Sequence, residues 1–148
     1  MTTQTTHGTA TATAAKSSGR KAHIALWALQ VLMALVFLMA SSTKFSGNEQ
    51  AVEGFEKIGF GSWFMYFIAT VELAGAAGLL IPALCGLAAT GLTALLAGAV
   101  VTQLIVDDPA TAVVPATYLV PIAFLAWARR ADTARLARRV AGQVRETQ

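Results

Sequence analysis

Apolar residues fill four long stretches of this chain, and charged residues are confined almost entirely to the segments between and beyond them. The first stretch runs from about Ile24 to Thr43 and meets no charge until Lys44. The second covers about Trp63 to Ile81, the third about Leu87 to Val106 and the fourth about Ala110 to Ala128. Each is about 20 residues long, and at ~1.5 Å of helical rise per residue each crosses a hydrocarbon core ~30 Å thick. Pro82 and Gly86 bracket a tight turn between the second and third stretches, and Asp107-Asp108-Pro109 separates the third from the fourth. Pro115 and Pro121 are expected to disturb the fourth helix, Pro121 as a kink whose freed carbonyl the neighbouring helices satisfy. The pattern predicts an all-α fold, a transmembrane four-helix bundle.

The remaining segments have different patterns. Residues 1–23, rich in Thr and Ala without apolar periodicity, read as a disordered tail that holds His7 and ends at His23. Residues 24–128 form the membrane domain, and 129–148 a basic tail. Between the first two spans, Ser46-Gly47-Asn48-Glu49 has capping-box spacing, and Val52, Phe55 and Ile58 recur every third residue. A short interfacial helix ended by Gly59 is expected there, with a plain connecting loop as the alternative. Small residues at Ala74 and Gly78, and at Ala94 and Gly98, are spaced for close helix contact in lipid. Leu136, Val140 and Val144 give the last tail the outline of an amphipathic helix, and its arginines suit anionic lipid.

Composition agrees with this division. Hydrophobic residues make up 55% of the 148 positions and charged residues 13%. Mean hydropathy is +0.59. A soluble domain this small could not hide so much apolar surface, because small domains leave much of their surface wet. Nine of the eleven Lys and Arg lie in the two tails, so the net charge of +3 reads as topology and not as a nucleic-acid surface. Lys16, Arg20 and Lys21 precede the first span, and Arg129, Arg130, Arg135, Arg138, Arg139 and Arg145 follow the last. The positive-inside rule places both termini in the cytoplasm, as an even number of spans requires. Ala40-Ser41-Ser42 resembles a signal-peptide cleavage site, but the run before it exceeds the ~7–15 residues of a signal core, so it is read as a retained helix.

Glu72 is the residue most suggestive of chemistry. It lies nine residues after Trp63, ~13.5 Å along a helix and hence near mid-membrane. An ionised carboxylate there costs about 2.5–3.5 kcal/mol even on lenient scales, so it should face the bundle interior, either protonated or paired. It serves either to lock packing or to handle a proton, ligand or quinone. Lys44 is its natural partner, although a lysine at the outer boundary reaches only ~6 Å, so direct contact calls for a shifted register or a watery outer cavity. Snorkelling to headgroups is the alternative for Lys44. Gln103 with Thr102, Tyr118 and Gln30 are candidates for secondary polar lining, or for lone interhelical hydrogen bonds.

Other chemistry is excluded or weak. Cys85 is alone, so neither an intrachain disulfide nor a CxxC pair exists, and it reads as a small packing residue. Asp107 and Asp108 suit a helix end better than a cation, and no metal site is expected. The spans contain no His to ligate haem. The chain carries no P-loop, HExxH or GxSxG, so no self-contained catalytic motif of those kinds is present.

Three segments carry a family resemblance: Ser42-Thr43-Lys44-Phe45, Phe55-Glu56-Lys57-Ile58-Gly59-Phe60, and Val71-Glu72-Leu73-Ala74-Gly75-Ala76-Ala77-Gly78-Leu79-Leu80. In order and spacing, over roughly residues 24–128, they resemble the DoxX-like family of small bacterial four-span membrane proteins. The family's lysine and glutamate positions map onto Lys44 and Glu72. Phe60-Gly61 stands where relatives often carry Leu-Pro, and Phe45 where leucine is common. The resemblance implies a multi-pass protein of the bacterial cytoplasmic membrane, in redox-linked physiology. Such a protein would be an accessory or small-ligand subunit, with a quinone, a membrane redox partner or a second copy of the chain among its associates. A small proton-coupled transporter using Glu72, or a structural assembly factor, are the rival expectations.

Overall fold

The computed structural model describes the backbone of residues 9–107 and 109–146, with side chains from Arg20 onward except at 139, 140 and 143–146. His7 and Asp108 lie outside the described residues. The elements are α1 (Thr9–Phe45), α2 (Glu49–Ile58), α3 (Ser62–Leu80), α4 (Cys85–Val106), a 3₁₀ turn (Pro109–Ala112), α5 (Val113–Ala128) and α6 (Arg130–Glu146). Four of these stretches are long and apolar enough to cross a bilayer: Arg20–Phe45, Ser62–Leu80, Cys85–Val106 and Pro109–Ala128. They match the four expected spans to within a few residues. The described residues contain no strand.

The bundle is built from two antiparallel pairs. α1 packs chiefly on α3 and α4 chiefly on α5, while α3 meets α4 and α1 meets α5 to close the ring. The shared core comprises Met33, Ala34 and Phe37 from α1, Ala76 and Leu79 from α3, Ala89, Leu92 and Leu96 from α4, and Ile122 and Leu125 from α5. It is a thin core. Only 17–33% of each apolar window is buried inside the fold, and Met39, Ile105 and Val120 point outward. Apolar surface on that scale is stable only where lipid is the solvent.

Glycine sets the α3–α4 approach. A Cβ on Gly75 would meet the Leu92 side chain at 2.6–3.0 Å, and one on Gly78 would meet Ala88 Cβ at 2.8 Å. Of the residues expected at helix contacts, Gly78 is in place, but Ala74, Ala94 and Gly98 are exposed. Space around Gly98 is open. Spacing alone does not say which face of a uniformly apolar helix turns inward, because lipid accepts either face equally well.

Two local expectations are corrected. α1 begins at Thr9, so residues 9–23 are helical where an unstructured tail was expected. Nucleation is the costly step in helix formation, so a helix already fixed by its membrane span extends readily into alanine-rich sequence. α2 forms as expected and ends at Gly59, whose φ of 83° is a left-handed value that glycine adopts without strain. Its cap, however, is Asn48, whose Oδ1 accepts from Gln50 N at 3.1 Å. Ser46 instead donates to Thr43 O at the end of α1.

Aromatic side chains gather at both ends. Phe60, Phe64, Trp63 and Phe67 cluster where α3 begins. Trp127 sits at the end of α5 with the Arg130 guanidinium 4.6 Å from its ring centroid. Aromatic rings and snorkelling cations favour the two membrane–water interfaces, which fixes the depth of the bundle.

Candidate functional site

Two side-chain-to-backbone bonds set the register of α1 against α3. Ser41 Oγ donates to Ala69 O at 3.0 Å, and Gln30 Nε2 donates to Leu79 O near the tail end. On that register the α1 residue level with Glu72 is about Leu38, roughly six residues or ~9 Å of rise from Lys44. The gap closes because helical side chains lean toward their own N-terminus. α1 and α3 run in opposite directions, so Lys44 leans back into the bundle and Glu72 leans out toward it. Lys44 Nζ lies 2.8 Å from Glu72 Oε2 and 3.0 Å from Oε1, donating to both carboxylate oxygens. It also lies 3.5 Å from Ala40 O, one turn back on its own helix. No watery cavity or slipped register is needed.

The ion pair is largely but not wholly enclosed, with side-chain exposures of 17% for Lys44 and 10% for Glu72. A lone carboxylate at mid-span would be costly, and pairing offsets that cost while leaving part of each side chain at the bundle surface. Phe45 and Tyr66, from the two helices that supply the pair, stack on one another with ring centroids 6.2 Å apart. Of the three ammonium hydrogens, two are committed to Glu72 and the third has only the long contact to Ala40.

The secondary candidates lie elsewhere. Gln103 is half-buried on α4, where its carbonyl accepts from Asp107 N at the helix end. Tyr118 packs against the hydrophobic core. Gln30 is fully buried, but within α1 toward the tail side of the bundle, away from Lys44. There its Oε1 accepts from Arg129 Nη2 at 3.2 Å while its amide nitrogen serves Leu79 O. One glutamine thereby ties the middle of α1 to the ends of α3 and α5.

Sequence reasoning treated Arg129 as topogenic charge, yet it is the centre of a second polar cluster. Arg129 Nη1 lies 3.6 Å from Asp132 Oδ2. Its Nε, and Thr133 Oγ1 nearby, are buried without a partner among the described residues. The backbone of Arg129 and the Thr133 side chain rest on Gly86 of α4, where a Cβ would come within 2.6 Å of Arg129 O. Cys85 is fully buried in the same corner. The available signal was the aspartate three residues after an arginine that closes an apolar span, a spacing that pairs charges on one helix face.

Among the described residues no three His, Cys, Asp or Glu side chains gather as metal ligands would. Lys44 and Glu72 do offer donor and acceptor chemistry for a small polar head: the less committed ammonium hydrogen suits a carbonyl oxygen, and the carboxylate suits a hydroxyl.

A family model described as the DoxX-like family matches residues 28–126, which contain all of α2, α3 and α4, most of the first span and nearly all of the last. No curated protein and no solved structure matches the chain.

Proposed function

The chain belongs to the DoxX-like family, and from that premise we propose that it is an accessory membrane subunit whose Lys44–Glu72 pair binds a small polar ligand. The observation that carries this reading is the pair itself. Two opposite charges from different spans meet at 2.8 Å while keeping 17% and 10% of their side chains accessible. A pair that served packing alone would gain nothing from that access, whereas a ligand head can compete for an ammonium hydrogen with no short protein partner.

A quinone head is the ligand class whose chemistry fits best. Lys44 would donate to a carbonyl oxygen and Glu72 would accept from the hydroxyl of the reduced form. When bound, such a group carries two electrons and two protons, and a partner protein would supply or remove them. The basic residues of both tails support, by the positive-inside rule, a site on the non-cytoplasmic side of a bacterial cytoplasmic membrane.

The test is equilibrium binding of a short-tailed benzoquinone to the detergent-purified chain, with thermal stability followed in parallel. Wild type should bind saturably, while Glu72→Gln and Lys44→Ala should lose about tenfold or more yet remain monodisperse. Wild-type affinity in both variants would place any ligand elsewhere and end this reading. If Glu72→Gln leaves no folded protein, Lys44→Met decides: it removes the ammonium donor at similar length, so unaltered quinone binding by the folded variant would support a purely structural pair. Proton flux through proteoliposomes, abolished by Glu72→Gln and independent of quinone, would instead indicate a carrier.

A further inference from the structure

Two cavities lie along the helices that meet at the α3–α4 turn: a cleft at the tail end of the bundle, and a groove that reaches along α3 as far as Val71, the chain neighbour of Glu72. The first is a cleft of about 200 Å³ between the α3–α4 turn and α6, lined by Pro82, Ala83, Asp132, Arg135 and Leu136. The second is an apolar groove of about 290 Å³ along α3 and α4, which Gly75, Gly78, Leu84, Leu87 and Gly91 help to line. Ala83 of the cleft and Leu84 of the groove are consecutive residues, so the charged cleft sits at the end of the apolar groove.

We propose that cleft and groove together form a binding site for one anionic phospholipid of the tail-side leaflet, with its phosphate at Arg135 and an acyl chain between α3 and α4. Three observations select this occupant. The cleft has positive charge to offer: Asp132 is approached by both Arg129, at 3.6 Å, and Arg135, at 3.8 Å. Two guanidinium groups around one carboxylate leave a net positive site, and Arg135, three-quarters exposed on so long a contact, is free to turn to a phosphate. The depth is right, because Trp127 and Arg130 mark the interface where α5 gives way to α6. The groove is apolar, flanked by exposed Leu84 and Leu87, and open at Gly91, where a Cβ would meet nothing within 4 Å. In a bilayer such a groove is filled by hydrocarbon. A basic pocket at its mouth then favours an anionic headgroup over a neutral one.

A second copy of the chain could fill the groove with one of its own helices, but it would have no use for the charged cleft at the end. The amphiphile accounts for both cavities at once.

The experiment is native mass spectrometry of the full chain in mild detergent, titrated with phosphatidylglycerol, phosphatidylcholine or inorganic phosphate. One molecule of phosphatidylglycerol should bind about fivefold or more tightly than phosphatidylcholine, the worth of one basic residue near an anionic surface. Arg135→Gln should remove that preference, and Arg135→Lys should retain most of it. Gly91→Leu adds a side chain where a Cβ meets no neighbour, on a residue that lines the groove, and should weaken both lipids. Equal binding of the two lipids, undiminished phosphatidylglycerol binding by Gly91→Leu, or inorganic phosphate binding as well as the lipid would each overturn the proposal. So would a wild-type dimer that Gly91→Leu converts to monomer, because the groove would then belong to a second copy. Circular dichroism and elution volume confirm that each variant is folded. Failure here leaves the Lys44–Glu72 reading untouched.

Discussion

Lys44 and Glu72 approach to 2.8 Å although roughly six residues of helical rise separate their levels in the bundle. Their side chains incline toward each other because the helices that carry them run antiparallel. The pair is therefore specific to this orientation and register. Removing either charge strands the other in a largely enclosed site. Glu72→Ala or Lys44→Ala should each cost ~3 kcal/mol, seen as a lowered thermal midpoint in detergent. The double substitution should cost much less than the two together, since no charge is left unpaired. Strict additivity of the two would mean that the pair contributes nothing.

The bridge between Lys57 and Asp107 provides the contrast. It links α2 to the end of α4 at 3.3 Å with the lysine side chain 57% exposed. Exposed pairs lose most of their attraction to solvent and to side-chain entropy, so Lys57→Ala should cost less than about 1 kcal/mol, and that small effect should shrink further in high salt. Parallel melts of Lys57→Ala and Lys44→Ala at low and high ionic strength would separate the two. Equal losses would contradict the burial argument.

Gln30 is placed differently again. With both ends of its amide engaged, Gln30→Ala leaves the Leu79 carbonyl and an Arg129 nitrogen short of partners inside the bundle. The expected cost is about 1–3 kcal/mol, the price of leaving buried polar groups unsatisfied. Gln30→Leu should do no better, because shape without hydrogen bonding cannot serve either group. Thermal midpoints of the two variants check this, and wild-type stability in Gln30→Leu would mean that neither bond matters.

These contrasts also show what the sequence could convey. The spans were legible because twenty uninterrupted apolar residues have few uses other than crossing a bilayer, and their observed limits agree closely with the expected ones. Lys44 and Glu72 stood out because charge inside such a run is costly. Their contact was harder to foresee, since axial counting omits the lean of side chains. Arg129 was hidden for the opposite reason: among six arginines in one tail, nothing in composition distinguishes the one that turns inward to Gln30. Ala94 and Gly98 misled because lipid exerts no preference between the faces of an apolar helix, so small residues mark a contact only where a partner helix is already placed, as at Gly75 and Gly78.

Gly86 offers the sharpest test of how α6 is held. The start of α6 lies directly on its backbone, with Arg129 O within 2.6 Å of where a Cβ would stand and the Thr133 hydroxyl closer still. The obstruction is main chain as well as side chain, so rotamer changes cannot relieve it, and Gly86→Ala should push Arg129 and Thr133 away from α4. Displacing Arg129 would also loosen its bond to Gln30, coupling the loss of α6 docking to the interior of the bundle. The four spans should survive, since their lipid-facing surface is unchanged, and the variant should insert and purify as wild type does. Its α6 should be cleaved by trypsin at Arg135 and Arg138 several times faster than in the parent chain, because an undocked helix opens more often. Thr133→Ala removes the nearest clashing atom but not the Arg129 carbonyl, so combining it with Gly86→Ala should restore protection only in part. Unaltered cleavage in Gly86→Ala would show that α6 is not held against α4 at this point.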